Sequence, residues 1–311
     1  MNTQPAQTND PHQRNTSRTS PLRLLEYPSM TKTPPLSPQA LLQLAPVDII
    51  LIRHGFSEAN AARKLYEQGK MSGEALKKYL SEVPDHKVRL APKGRNQALW
   101  AGSWLREAGI TFDPRGFYVS DYTRAMETAL LLSDSAGIDV PWKQDARVGE
   151  RSWGRFHELD KETQDIEYDR REQNPRHWVP DLGESLRTVS LHVGSFLDRL
   201  YREHSGSNVV IVTHGEFITA FRAAMERLTE SELSEAIITG MPNCGIAHYS
   251  RRNPETGELT RNFDWVKFST ENKATKYQKL WTGEWKKIVR PKLTSSELRK
   301  LVEETPARPL P

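Results

Sequence analysis

Two short apolar runs, 47–52 (VDIILI) and 208–213 (NVVIVT), each lead into a His-Gly pair. No other feature restricts the chain as much. Runs this short and rich in β-branched residues read as strands buried on both faces. Strands of that kind need helices to cover them, and helical patterns are present. Residues 92–108 begin at Pro92 and repeat apolar positions at Ala98, Ala101, Leu105 and Ala108. Residues 123–132 follow a short strand at 116–120, with Ser120 or Asp121 as the expected cap. Residues 185–203 carry the clearest apolar stripe, from Leu186 through Val189, Val193 and Phe196 to Leu200, and 217–228 form one more helix. Strands at 244–250 and 259–268 are expected to form a hairpin around Asn253 and Gly257. Alternation of this kind predicts an α/β fold, a three-layer α/β/α sandwich with a mostly parallel central sheet. In such sheets ligands bind beyond the carboxyl ends of the strands. His54-Gly55 and His214-Gly215 are therefore expected at one edge.

Composition bounds the rest. The 311 residues are 36% hydrophobic and 27% charged, polar enough to imply tails around one folded unit. Residues 1–46 hold 8 of the 20 prolines and read as a disordered tail, with a short helix at 38–44. Residues 272–311 carry net +6 and read as a basic C-terminal tail. With net +2 in 1–46 and +4 overall, the middle is left at −4, a poor general surface for nucleic acid. No specific nucleic-acid partner is expected. The single cysteine, Cys244, excludes an internal disulfide framework. No apolar run approaches the ~18 residues of a membrane span, and no apolar leader opens the chain. A cytoplasmic location is the expectation, and the sequence is compatible with a homo-oligomer.

Arg53 directly precedes His54, and Arg124 lies in the first turn of the helix after strand 116–120. Both arginines would face the same edge as the two histidines. A transferring phosphoryl group needs a nucleophile, donors around its equatorial oxygens and an acid for the leaving group. Arginine suits the donor role because its planar fork binds phosphate bidentately. A metal site built on His54, His214 and Glu150 is disfavoured, since Arg53 and Arg124 would repel a cation. No metal and no cofactor is expected.

Five segments in order sharpen this reading. They are Arg53-His54-Gly55 with Ser57 and Asn60; Leu90-Ala91-Pro92-Lys93-Gly94 with Gln97 and Ala98; Ser120 with Arg124-Ala125 and Glu127-Thr128-Ala129; Val148-Gly149-Glu150 with Gly154; and Val212-Thr213-His214-Gly215. Together they resemble the histidine phosphatase superfamily, in its phosphoglycerate mutase-like branch with the RHG motif. The resemblance covers about residues 47–250 and implies a phosphatase domain at 47–271. It implies that His54 attacks phosphorus and becomes a phosphohistidine. It also implies that Arg53, Arg124 and His214 bind the phosphoryl oxygens, and that Glu150 acts as general acid and then general base. Asn60 and Ser57 are expected at the phosphate or substrate, with Gly215 beside them. Ser185 either faces the substrate or simply starts its helix; Asn243 either turns the chain or meets the ligand.

Two residues depart from the family pattern: Phe56 makes the pocket mouth more apolar, and Ala91 stands where a capping threonine is usual. Residues 61–89 read as a helical lid insertion, whose Lys64, Lys70, Lys77, Lys78, His86 and Lys87 either meet a charged substrate or form a solvated face. The stretch from Glu150 to Glu184 is short and acid-rich, with Asp160, Glu162 and Asp165 against a small basic cluster at Arg170 and Arg171. That favours hydrolysis of a small phosphate ester. The alternatives are a phosphoglycerate mutase or sugar bisphosphatase, and a catalytically silent module that binds phosphorylated ligands.

Overall fold

Ile49, Ile50, Leu51 and Ile52 are all fully buried, and their alternation assigns each to one of two layers. The structure, a computed structural model, describes residues 37–271 and 282–307. Its strands are β1 (Asp48–Arg53), β2 (Phe117–Val119), β3 (Lys143–Gln144), β4 (Asn208–Thr213), β5 (Ile246–Ser250), β6 (Trp265–Ser269) and β7 (Trp285–Lys287). Its helices are α1 (Pro38–Leu42), α2 (Glu58–Glu67), α3 (Gly73–Glu82), α4 (Pro92–Glu107), α5 (Thr123–Ala136), α6 (Lys161–Gln173), α7 (Leu186–Glu203), α8 (Gly215–Arg222), α9 (Glu230–Thr239) and α10 (Ser295–Glu303).

The seven strands form one sheet in the order β3-β2-β4-β1-β5-β6-β7. Ile50, Ile52, Val210 and Val212 pack beneath α4 and α5 on one side. Ile49, Leu51, Val209 and Ile211 meet α7 and α8 on the other. The three layers are those expected from the sequence. The sheet itself is mixed: β3, β2, β4 and β1 run parallel, while β5, β6 and β7 are antiparallel to their neighbours. β5 and β6 are consecutive strands that pair antiparallel, and the chain between them reverses through a turn beyond the Arg252–Leu259 bridge. That turn closes at Asn253 and Gly257, where the glycine N–H donates 2.8 Å to the asparagine carbonyl. β1 and β4 are direct neighbours in register, Arg53 opposite Thr213, so the two His-Gly pairs leave the sheet side by side.

Several boundaries differ from the sequence reading. The cap of α5 is Tyr122, without a side-chain bond, and the Ser120 hydroxyl instead accepts from the Tyr122 N–H at 3.2 Å. As the alanine at position 91 implied, α4 has no capping side chain. Within the stretch read as the N-terminal tail, residues 1–36 lie outside the described residues. The remainder forms α1 and enters the core at Ala45, tied by the Arg251 guanidinium to the Ala45 carbonyl at 3.0 Å. Residues 272–281 and 308–311 of the C-terminal stretch also lie outside. Between them β7 extends the sheet, and Arg290 pairs with Asp264 at 2.9 Å. Among the described residues no helix is long and apolar enough to cross a membrane.

A close crossing fixes the loop after β1. A Cβ on Gly94 would stand 2.1 Å from the Phe56 carbonyl oxygen, so the first turn of α4 meets the His54 loop backbone to backbone. Gly94→Ala should lower stability by about 1–3 kcal/mol through forced overpacking and reduce activity with it. Denaturant unfolding alongside an activity assay checks this; unchanged values in both would remove the crossing as a constraint.

Candidate active site

Each parallel strand delivers one group to the same edge. β1 ends in Arg53 and His54, α5 after β2 brings Arg124, the turn after β3 brings Glu150, and β4 leads into His214. Arg53, His54, Arg124 and Glu150 line a cavity of about 220 Å³ together with Ser57, Asn60 and Gly215, while His214 is fully buried behind Glu150.

The His54 ring is oriented by its own backbone. Nδ1 lies 2.8 Å from the Gly55 carbonyl, so it carries the proton and donates, which leaves Nε2 as the lone-pair nitrogen. Burial, followed by the fields of Arg124, His214 and Arg53, pushes the imidazole well below its ordinary value of 6.5. It is therefore neutral. The loop that holds it is tied at several points. The Gly55 N–H donates 3.0 Å to the Thr128 hydroxyl, which itself donates 2.7 Å to the Arg124 carbonyl. The Phe56 N–H donates to Gln97 at 3.0 Å, and the Asn243 amide donates to the His54 carbonyl at 3.1 Å. Asn243 thus supports the His54 loop.

The donors around His54 are incompletely used. Arg53 gives one terminal nitrogen to the Met241 carbonyl, but its buried Nε has no hydrogen-bond partner. A Cβ on Gly215 would lie 3.4 Å from that Nε, so the glycine leaves the donor uncovered. Arg124 stacks over Tyr122 and is held by Asp85, through the carbonyl at 2.8 Å and the carboxylate at 3.2 and 3.3 Å. His214 directs Nε2 to the Ser120 hydroxyl at 2.8 Å and Nδ1 towards Glu150 at 3.3 Å. Buried donors left without acceptors in a cavity define a site for an anion.

Glu150 also lies within 3.5 Å of Arg124, and its other oxygen accepts from the Arg151 N–H at 3.1 Å. Burial pushes its carboxyl up, but His214, Arg124 and Arg53 outweigh that and hold it at about 2. It is therefore ionised. The Thr213 hydroxyl fixes its loop by donating 2.6 Å to the Val148 carbonyl. His54, Glu150 and His214 bring one nitrogen or oxygen each within 4.8 Å of one another, a spacing a metal could use. The flanking guanidiniums make the cluster an anion cradle instead.

Ser57 and Asn60 cap α2 reciprocally, at 3.2 and 3.1 Å, while also lining the cavity. Ser185 is not among the lining residues; its hydroxyl caps α7 through the Thr188 N–H at 3.0 Å. Sequence reasoning passed over Arg63, Asp85, Trp153, His157, Tyr168 and Glu216, which also line the cavity. Trp153 and Glu216 stand beside the Glu150 and His214 motifs, whereas the segments of Arg63, Asp85, His157 and Tyr168 lack strand-end motifs and are brought over the site by the fold. Of the basic residues noted in 61–89, none lines this cavity, and Lys77 reaches an adjoining groove.

A family model described as the histidine phosphatase superfamily (branch 1) matches residues 49–262. The 2,3-bisphosphoglycerate-dependent phosphoglycerate mutase of Bartonella quintana (strain Toulouse) is 29% identical over 204 residues, covering 62% of this chain and 89% of the mutase. A phosphoglycerate mutase-like protein of Arabidopsis thaliana is 32% identical over 195 residues, covering 56% of this chain and 55% of that protein. In fold, the chain is similar to a mycobacterial glucosyl-3-phosphoglycerate phosphatase complexed with VO3. The TM-score is 0.50 at 23% identity, over 66% of this chain and 92% of that one. The chain belongs to the histidine phosphatase superfamily. It is an enzyme of the phosphatase class, and phosphohistidine chemistry on small phosphate esters is general to its family.

Both displaced groups make acid destabilising. Below pH 6.5, the ordinary value for His54, the unfolded chain takes up a proton that the folded site refuses. The contribution of Glu150 is full above its ordinary 4.5 and is lost as the pH falls towards about 2. His54→Asn should flatten the stability curve just below pH 6.5 by up to ~1.4 kcal/mol per pH unit. Urea unfolding at stepped pH reads the slope, and equal slopes in both proteins would contradict a neutral His54.

Proposed function

We propose that this protein hydrolyses phosphate monoesters, with His54 as nucleophile, Glu150 as proton carrier and water as the final acceptor. The observation that carries the proposal is the His54 ring: its Nδ1 proton is spent on Gly55, and it stands among donors that lack acceptors. In the first step Nε2 forms a bond to phosphorus while the ester P–O bond breaks, and the leaving alkoxide takes a proton from Glu150. In the second, water attacks phosphorus, gives its proton to Glu150, and the P–N bond breaks to release phosphate. Arg53, Arg124 and His214 meet the oxygens that gain charge in both steps.

Glu150 can serve only if it gains a proton when substrate arrives. The surrounding cations hold it ionised. A bound phosphoryl group draws Arg124 and His214 to itself, and its negative charge beside the carboxylate raises the proton affinity of Glu150. Asp85, which pairs with Arg124, must yield to the same group.

Hydrolysis is favoured over transfer to a second phosphorylated molecule by the pairing in the segment after Glu150. Arg151 and Arg171 bind Glu216, Arg155 binds Glu158, Lys161 binds Asp165, Arg170 binds Glu167 and Arg176 faces Glu230. Among the described residues, each Arg and Lys of this segment thus already faces a carboxylate. The likeness to phosphoglycerate mutases supports the second reading, a mutase. It predicts phosphate passing to a phosphoglycerate acceptor, whereas hydrolysis releases inorganic phosphate.

On a chromogenic monoester, turnover should survive chelator and leave acid-labile phosphate on the protein. His54→Ala should abolish both, and retained turnover in that variant would overturn the mechanism. Glu150→Gln should cost about 10²–10⁴-fold for poor leaving alcohols and much less for good ones; a uniform loss would remove Glu150 as the acid.

A further inference from the structure

Arg124 already holds a carboxylate in the way it would hold a phosphoryl group. Its two terminal nitrogens donate to the two carboxylate oxygens of Asp85 at 3.2 and 3.3 Å, fork to fork. One of them also donates to the Asp85 carbonyl at 2.8 Å. Asp85 opens a short helical turn, Asp85–Lys87, in which no residue is buried. Its side chain is 57% exposed, whereas that of Arg124 is 5% exposed. The arginine is therefore the fixed member of the pair and the carboxylate the movable one.

The same cavity offers that carboxylate a second cation. Arg63 on α2 lines it together with Asp85 and Arg124. Among the described residues no carboxylate lies within ion-pair distance of Arg63. A terminal nitrogen of its guanidinium lies 3.2 Å from His157 Nε2. Burial, then the charge of Arg63, pushes His157 down to about 4, so the ring is neutral and supplies no counter-charge. Burial lowers the Arg63 guanidinium from its ordinary value, and of the acidic groups that oppose this, Asp85 acts most strongly.

We propose that the Asp85 carboxylate is an internal ligand of Arg124, which an incoming phosphoryl group displaces and Arg63 receives. Set free beside a dianion and Glu150, a carboxylate with no cation of its own would be repelled. Paired with Arg63 it keeps a counter-charge, and the cost of vacating Arg124 falls to the difference between two ion pairs. Asp85 and Arg63 are thus positioning residues: they set how tightly the site holds phosphate and touch no reacting atom. After cleavage, the return of the carboxylate to Arg124 competes with the product. The inference rests on the phosphatase reading above for what enters the cavity, but its test requires no turnover.

Inorganic phosphate, the product of that reaction, is titrated by calorimetry into the native protein and its variants. Asp85→Asn should tighten binding by about tenfold, because a charge-assisted competitor is removed. The Asp85 carbonyl, which also binds Arg124, is untouched by that substitution. Asp85→Glu keeps the charge and should bind phosphate more nearly as the native protein does. Arg63→Gln should weaken binding by about threefold, the worth of a partly exposed ion pair, and by much less in the Asp85→Asn background. Unchanged or weaker binding in Asp85→Asn makes Asp85 a mere support for Arg124 and overturns the proposal. An equal loss from Arg63→Gln in both backgrounds also overturns it, since Arg63 would then attract phosphate directly. Hydrolysis of phenyl phosphate by the native enzyme judges the phosphatase reading separately.

Discussion

A neutral imidazole held inside a ring of cations is the constraint on which the rest of this structure depends. Left to itself, burial of Arg53, Arg124 and His54 together would be costly, because like charges in a low-dielectric pocket repel. The protein meets that cost in two ways. The Gly55 carbonyl takes the Nδ1 proton and fixes the neutral tautomer of His54. Asp85 and Glu150 offset the charge of Arg124. Both devices balance the local charge, and under the proposed function a phosphoryl dianion would take over the part that the carboxylates play.

Such a pocket works only if its members cannot drift apart, and the surrounding hydrogen bonds are arranged for that. Thr128 joins the His54 loop to the Arg124 helix, and Thr213 joins the His214 strand to the Glu150 loop. Gln97 and Asn243 hold the loop from two further elements. Mutual geometry is thus set by side chains that do not touch the reacting atoms.

The roof of the site depends on a different device. Arg151 and Arg171 share Glu216 at 3.0 and 2.8 Å, and both guanidiniums pack against the rings of Trp153 and Trp178. Glu216 follows His214 by two residues in the first turn of α8, so this network anchors α6 directly beside the phosphoryl site. It also removes two arginines from contact with ligand. Among the described residues, Arg63 on α2 is then a cation lining the cavity that has no carboxylate within ion-pair distance.

The central strands, their helices and the five motif residues at the sheet edge were legible in the sequence because each depends on local pattern. Apolar runs such as VDIILI can be satisfied only by burial on both faces, and a His-Gly pair after such a run has one place to go. Other elements carry no such pattern. α6 buries only Arg171 and has no apolar stripe; β7 is three residues long and is a strand because β6 offers it an edge. α9 did carry a signal, the reciprocal cap of Thr229 and Glu232. The antiparallel half of the sheet, the caging of Arg124 by Asp85 and the isolation of Arg63 are tertiary facts. They depend on which distant charges come within a few ångströms, and spacing along the chain does not encode those distances. The sequence by itself determined which arginines, histidines and carboxylate gather at the carboxyl edge of the sheet. Only the tertiary structure decided which cations are neutralised, because that is a property of neighbours brought together by packing.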